Sequence, residues 1–297
     1  MSYTPTYHNL TVEGSVNLHY FEAGSKDHPT LLLLHGFPSS SAQFRDLAPL
    51  LAHKYHLIAP DFPGYGQTTV PADFTYTFDN LANVTIALLS ALQISSYAIY
   101  VFDYGAAVGW RLALNDPPAI TAIISQNGNA YTEGFGQPFW QPIMETWSTD
   151  NSSPAREWLR ENYLTLAATK MQYTAGFPDS DLALVNPSDW TLDYLQNEQG
   201  RENQEHQLDL FYDYRRNLDS YPAVHEYFRT SQVPLLAIWG KNDPIFIPPG
   251  AEAFKRDLPD AVVKFVDAGH FALQTKRWEI AEAILEFLGK GGKGGCK

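Results

Sequence analysis

The stretch VFDYGAAVG, residues 101–109, sets an aspartate between an apolar run and a helix-like run. HGFPSSS at 35–41, WGKNDP at 239–244 and VDAGHFAL at 266–273 add further residue types that do chemistry. A sharp strand-to-helix turn exposes its central side chain, and the small residues Gly105, Ala106 and Ala107 limit the steric cost of such a turn at Asp103. The order Asp103, Asp243, His270 is that of a nucleophile, an orienting acid and a base. In that reading His270 takes a proton from water, while Asp243 orients the ring and stabilises the imidazolium. The backbone amides of Phe37 and Tyr104 are the expected oxyanion donors, since the first lies in a Gly- and Pro-held loop and the second follows the nucleophile. His35 is expected to orient or pack that loop. Aspartate is also favoured at an ordinary turn or helix N-cap, so DYG alone leaves both readings open.

The elements that must position these residues are an alternation of strands and helices. VNLHYFEAG (16–24), TLLLLHG (30–36), HLIAPD (56–61) and YAIYVF (97–102) read as strands, the second apolar enough to be buried on both faces. SAQFRDLAPLLAHKY (41–55), FDNLANVTIALLSALQ (78–93) and AAVGWRLALND (106–116) have helical spacing, and AITAIISQNG closes a strand on a turn. Asp103 thus falls at the carboxyl end of a central strand, where open α/β sheets place ligands. After about residue 130 the rhythm changes to aromatics, helical patterns and proline breaks. It returns with VPLLAIWG (233–240), AEAFKRDL, AVVKFV (261–266) and WEIAEAILEFL (278–288). The predicted organisation is an α/β sandwich in two parts, 1–130 and 231–288, interrupted by a mostly helical cap over 131–230 and followed by a flexible tail at 289–297.

Composition narrows the function classes. The 297 residues are 44% hydrophobic and 14% aromatic, enough for a large core. A formal charge of −13 opposes nucleic acid and anionic membranes, so neither is an expected partner. The single cysteine, Cys296, excludes an intrachain disulfide and a cysteine-based zinc site. No phosphate-binding glycine fingerprint or metal motif stands in the right context, so no cofactor and no metal are expected. MSYTPTYHNLTVEG lacks the blocks of a signal peptide, which makes the cytoplasm the expected location. The oligomeric state is not legible.

HGFP, the DYG elbow, WGKND and AGHF together resemble the α/β-hydrolase superfamily, most closely its epoxide-hydrolase and haloalkane-dehalogenase branch, over about residues 15–288. The resemblance implies Asp103 as nucleophile and gives the carboxylate a chemical meaning. Attack on an ester would make a reactive mixed anhydride, whereas attack on the saturated carbon of an epoxide or alkyl halide makes an ordinary alkyl ester open to activated water. YRRN in FYDYRRNLDSYP (211–222) resembles the cap motif of epoxide hydrolases, which implies that Tyr214 donates to the epoxide oxygen. Tyr131, near the start of the cap, and Tyr212 are candidates for a second phenol, and Trp140 or Trp147 could approach from the cap. Haloalkane dehalogenases are similar, but their usual halide donors are missing: Tyr104 stands where tryptophan is usual and Phe37 where asparagine is frequent. Fluoroacetate-dehalogenase-like enzymes carry arginine where this chain has Tyr104 and a second arginine nearby, where it has Ala107. The expected activity is hydrolysis of an apolar epoxide. Halide removal, non-hydrolytic chemistry on the same fold and an inactive ligand-binding module are the alternatives.

Overall fold

Runs made almost wholly of apolar residues suit strands covered on both faces, and TLLLL, HLIAP, YAIYVF and LLAIWG are such runs. The computed structural model of the protein describes residues 4–290. The strands are β1 (Thr6–Val12), β2 (Val16–Ala23), β3 (Thr30–Leu34), β4 (His56–Pro60), β5 (Tyr97–Phe102), β6 (Ile120–Gln126), β7 (Leu235–Gly240) and β8 (Val262–Val266). They form one eight-stranded sheet in the order β1-β2-β4-β3-β5-β6-β7-β8. Every residue of β4, β5 and β7 is buried, and β3 is buried from its second residue on. β1 and β2 pair antiparallel, as do β2 and β4, and all the remaining pairs are parallel.

The helices are α1 (Ala48–Leu51), α2 (Phe78–Ala91), α3 (Tyr104–Asn115), α4 (Gln137–Trp147), α5 (Ser153–Tyr163), α6 (Leu166–Thr174), α7 (Asp179–Leu182), α8 (Pro187–Asp193), α9 (Arg201–Asp213), α10 (Arg215–Ser231), α11 (Pro249–Ala253) and α12 (Leu273–Gly289). Alternate residues of the sheet feed two cores. Leu32, Leu34, Ile99 and Val101 pack in one with residues of α2, α3 and α10, while Leu31, Leu33, Tyr100 and Phe102 pack in the other with residues of α1 and α12. Trp140, Phe211 and Tyr214, from the helices between β6 and β7, belong to the first of these cores. These residues pack on Phe78 of α2, on Tyr104 of α3 and on Phe37 and Phe246 of the loops beyond β3 and β7. No helix among the described residues is long and apolar enough to cross a membrane.

The order places the site. β3 lies between β4 and β5, so the chain leaves it towards one side and returns on the other, which makes the carboxyl ends of β3 and β5 a topological switch point. Leu34 pairs with Val101, which sets His35, Gly36 and Phe37 beside Asp103.

Two local expectations change. The helix expected over 41–55 is a 3-10 turn at Ser41–Phe44 and the short α1, with Pro49 in its first turn, where its missing N–H costs no intrahelical bond. The N-terminal stretch, read only for the absence of a signal peptide, forms β1 and turns into β2 through Glu13 and Gly14, both with positive φ. Of the expected tail, Gly289 ends α12, and residues 291–297 with Cys296 lie outside the described residues.

Candidate active site

A strand that runs straight into a helix must reverse its backbone at one residue. Asp103, between β5 and α3, does this at φ 50° and ψ −117°, in the left-handed half of backbone space that a non-glycine residue adopts only under constraint. Its neighbours explain how it is held. A Cβ at Gly105 would lie 2.2 Å from the Leu34 carbonyl oxygen, so only glycine lets α3 start this close to β3. At Gly36 a Cβ would lie 2.4 Å from Asp103 Cβ and 2.5 Å from Oδ1. Gly36→Ala is therefore expected to cost about 1–3 kcal/mol of stability, measured as a lower urea midpoint at unchanged slope.

The close approach has a purpose. The N–H groups of Phe37 and Tyr104 donate to Asp103 Oδ1 at 2.7 and 2.6 Å. His35 is fully buried, and its Nε2 accepts the Phe62 N–H at 3.0 Å, which leaves Nδ1–H to donate to the Gly36 carbonyl at 3.2 Å. Burial pulls His35 down to about 4, so it is neutral and acts as a strut of this loop.

Asp243 and His270 follow β7 and β8, whose carboxyl ends lie on the same edge of the sheet. His270 Nδ1–H donates to Asp243 Oδ2 at 2.8 Å, and its Nε2 stands 3.7 Å from Asp103 Oδ2. Among the described residues nothing hydrogen-bonds that Nε2, although the ring is fully buried. Asp243 also accepts from the Ile245 N–H at 2.7 Å and from Asn127 Nδ2 at 2.6 Å.

Burial pushes the Asp103 carboxyl up to about 6, against the pull of His270 and the two N–H donors. For His270, burial favours the neutral ring, but the carboxylates of Asp243 and Asp103 outweigh it and hold the imidazole above its ordinary value. The pair thus has one carboxylate oxygen anchored and a second facing an imidazole nitrogen.

An aromatic shell closes over this pair. Tyr214, at the junction of α9 and α10, is buried, with its ring 4.5 Å from that of Trp140, 5.5 Å from Tyr104 and 5.6 Å from Phe78, and its phenol within electrostatic reach of Asp103. Its hydroxyl lies beside that of Tyr221. Trp140 is buried as well, and its indole N–H has no partner among the described residues. Phe211 lies 5.1 Å from Phe37, and Phe246 lies 5.4 Å from Trp140 and 6.1 Å from His270.

The structure therefore brings together Asp103, Asp243, His270, Phe37, Tyr104, Tyr214 and Trp140. Two expected residues lie elsewhere. The Tyr131 hydroxyl donates to Asp257 at 2.9 Å and its ring stacks on His225 at 4.3 Å, so this phenol is committed to fastening the chain after β6. Tyr212 faces outward, with its hydroxyl on Asp150 at 3.0 Å and the Arg215 guanidinium 3.5 Å above its ring. Trp147 is also committed, since its indole donates to the Phe211 carbonyl at 2.9 Å.

Sequence reading missed Asn127. Besides binding Asp243, its Oδ1 accepts the Gly240 N–H at 3.0 Å and Gln126 Nε2 at 2.5 Å, and Gln126 in turn holds the His270 carbonyl at 3.1 Å. Asn127 thus holds the Asp243 carboxylate in place. The signal was QNG after β6, which reads equally well as a plain turn, and Asn127 does have a positive φ. Among the described residues no cluster of His, Cys, Asp and Glu has the arrangement of a metal site.

Comparison with known proteins agrees with this architecture. Residues 29–276 match the family described as the alpha/beta hydrolase fold. An uncharacterized hydrolase of Saccharomyces cerevisiae is 43% identical over 95% of this chain and 97% of its own. An epoxide hydrolase of Caballeronia sordidicola is 25% identical over 92% of this chain and 91% of its own. The crystal structure of a haloalkane dehalogenase from Bradyrhizobium elkani superposes with a TM-score of 0.76 at 22% identity, covering 96% of this chain and 98% of that one. The sheet order, the aspartate elbow at the switch point and the match over most of the length lead to one conclusion: the chain belongs to the α/β-hydrolase fold family.

Proposed function

We propose that this hydrolase opens apolar epoxides to diols through an alkyl ester on Asp103. The observation that carries the reading is the state of the elbow carboxylate, with Oδ1 held by two backbone N–H groups and Oδ2 turned towards His270. Oδ2 attacks a ring carbon, the carbon–oxygen bond breaks, and the electron pair goes to the ring oxygen. Tyr214 supplies the proton to that oxygen and becomes a phenolate. Water placed between His270 and the ester then loses one proton to Nε2 and adds to Asp103 Cγ, while the charge on Oδ1 is met by the Phe37 and Tyr104 amides. Collapse releases the diol with Oδ2 as its second hydroxyl, protonated by His270. The other hydrogen of the water stays on the regenerated carboxyl and returns to the Tyr214 phenolate, so the cycle balances.

The apolar character of the substrate follows from the shell, in which Phe37, Phe135, Phe211, Phe246 and Trp140 are buried side by side. The full-length similarity to an epoxide hydrolase supports the same substrate class. One observation favours a second reading: the unpartnered Trp140 N–H beside Tyr214 could equally hold a departing halide. Haloacids fit less well, because Arg111, the arginine of α3, is already bound to Asp79 at 2.6 Å and to Asn217 at 2.7 Å.

The test is a single turnover in oxygen-18 water with excess enzyme, on a panel of aromatic and aliphatic epoxides and matched haloalkanes. The expected result is an unlabelled diol with one heavy oxygen in the Asp103 peptide. Label in the diol on the first turnover would rule out the ester route. Halide release without diol formation would replace the epoxide reading with dehalogenation, and tight ligand retention without any turnover would favour a binding module.

A further inference from the structure

Opening an epoxide leaves a full negative charge on one oxygen, and a single phenol from the cap side is a sparse environment for it in an apolar shell. The two phenols that the sequence offers as companions of Tyr214 are engaged elsewhere, Tyr131 with Asp257 and Tyr212 with Asp150. A different phenol is already in place. Tyr104 is the first residue of α3, adjacent to the nucleophile, and its ring is buried between Phe78 at 4.9 Å, Tyr214 at 5.5 Å and Phe37 at 5.8 Å. Its hydroxyl has no hydrogen-bond partner among the described residues. Tyr65, the other buried phenol within electrostatic reach of Asp103 and Tyr104, donates to Gln207 at 2.6 Å and is accounted for.

A buried hydroxyl without a partner destabilises a protein, and phenylalanine would pack the same ring without that cost. A partner that arrives with the substrate would satisfy this hydroxyl. Burial, with the Asp103 carboxylate beside it, keeps this phenol protonated, so towards a ligand it presents a donor.

Resting on the epoxide reading, we infer that the Tyr104 side chain is a second catalytic donor, which shares with Tyr214 the oxygen released when the ring opens. The same residue then acts twice through different atoms. Its backbone N–H holds Oδ1 of the nucleophile, and its phenol holds the departing oxygen. No new proton is required: the alkoxide takes its proton from one phenol while accepting a hydrogen bond from the other, and the regenerated carboxyl restores it as before. Because Tyr104 lies on the rigid elbow while Tyr214 lies between α9 and α10, the ring oxygen must sit where core and helical layer meet.

The experiment compares wild type, Tyr104→Phe, Tyr214→Phe and the double variant, with the rates of ester formation and ester hydrolysis measured separately by rapid quench and mass analysis. Tyr104→Phe is expected to slow ester formation 10- to 100-fold, to leave hydrolysis of the formed ester within twofold, and to raise the thermal midpoint. The loss should shrink for epoxides whose alkoxide is a weaker base, a dependence that a packing role would not produce. Ester formation within twofold of wild type, or equal losses in both steps with a lowered midpoint, would overturn the assignment. A wild type that converts no epoxide removes the parent reading and this one together, whereas an active wild type matched by Tyr104→Phe removes only this one.

Discussion

Asp103→Asn is expected to lose turnover by roughly 10⁴-fold or more while gaining stability at neutral pH. The loss follows because the amide can accept from the Phe37 and Tyr104 N–H groups but cannot attack carbon, so the site is preserved and the bond-forming step is gone. The gain follows from burial. Asp103 is 4% exposed, and its carboxyl is pushed up to about 6 from an ordinary value of 3.8, so the folded state binds this proton more tightly than the unfolded chain. Such a group supports the fold below the unfolded pKa, and the support is lost as pH rises through the folded value. Above pH 6 the ionised side chain should cost on the order of 3 kcal/mol, which asparagine removes. Thermal midpoints of the two proteins measured from pH 4 to pH 8 test this. The variant should pull ahead as pH rises and the two curves should converge near pH 4. A constant offset would mean that Asp103 does not titrate in that window.

His270→Ala is expected to divide the reaction. Ester formation needs only the carboxylate and a donor for the departing oxygen, so it should remain, while ester hydrolysis should fall about 10²–10⁴-fold for want of a base. The alkylated Asp103 peptide should then accumulate, and imidazole added to the solution should restore part of the hydrolysis, a rescue that a purely structural histidine would not show. The pH dependence carries its own sign. In the free enzyme the carboxylates of Asp243 and Asp103 hold the His270 imidazolium above its ordinary value. Esterification neutralises Asp103 and removes one of those supports, so the neutral base should appear at lower pH in the intermediate than in the free enzyme. NMR titration of His270 before and after alkylation would show the downward step. An unchanged or higher value would contradict the proposed contact with Asp103. Ester formation should fall below about pH 6, where Asp103 takes up its proton.

The legible parts of the fold share one property: their signal is local and their environment is uniform. TLLLL, YAIYVF and LLAIWG have no polar alternation, the pattern of strands covered on both faces. The stretch from Ser41 to Tyr55 has helical spacing yet forms only a 3-10 turn and the four-residue α1, with Pro49 in its first turn. Tyr212 and Tyr214 show the limit for side chains. Two residues apart on a helical path means about 200° of rotation, so one phenol had to face the core and the other had to face out, but the string FYDYRRN does not say which.

The sequence by itself marked the central strands, the aspartate elbow, Asp243 and His270 beyond two of those strands, and the Phe37 and Tyr104 amides, because each depends on a short local pattern in or at the end of a strand. Only the tertiary structure decided which phenols and indoles meet at that edge. It sent Tyr131 to Asp257, turned Tyr212 to the surface, set Trp140 against Tyr214, placed Asn127 behind Asp243 and left the Tyr104 hydroxyl without a partner. The reason is physical: a motif constrains the few bonds next to it, whereas the packing of aromatic rings between α3, α4, α9 and the sheet is set by contacts among residues far apart in the chain.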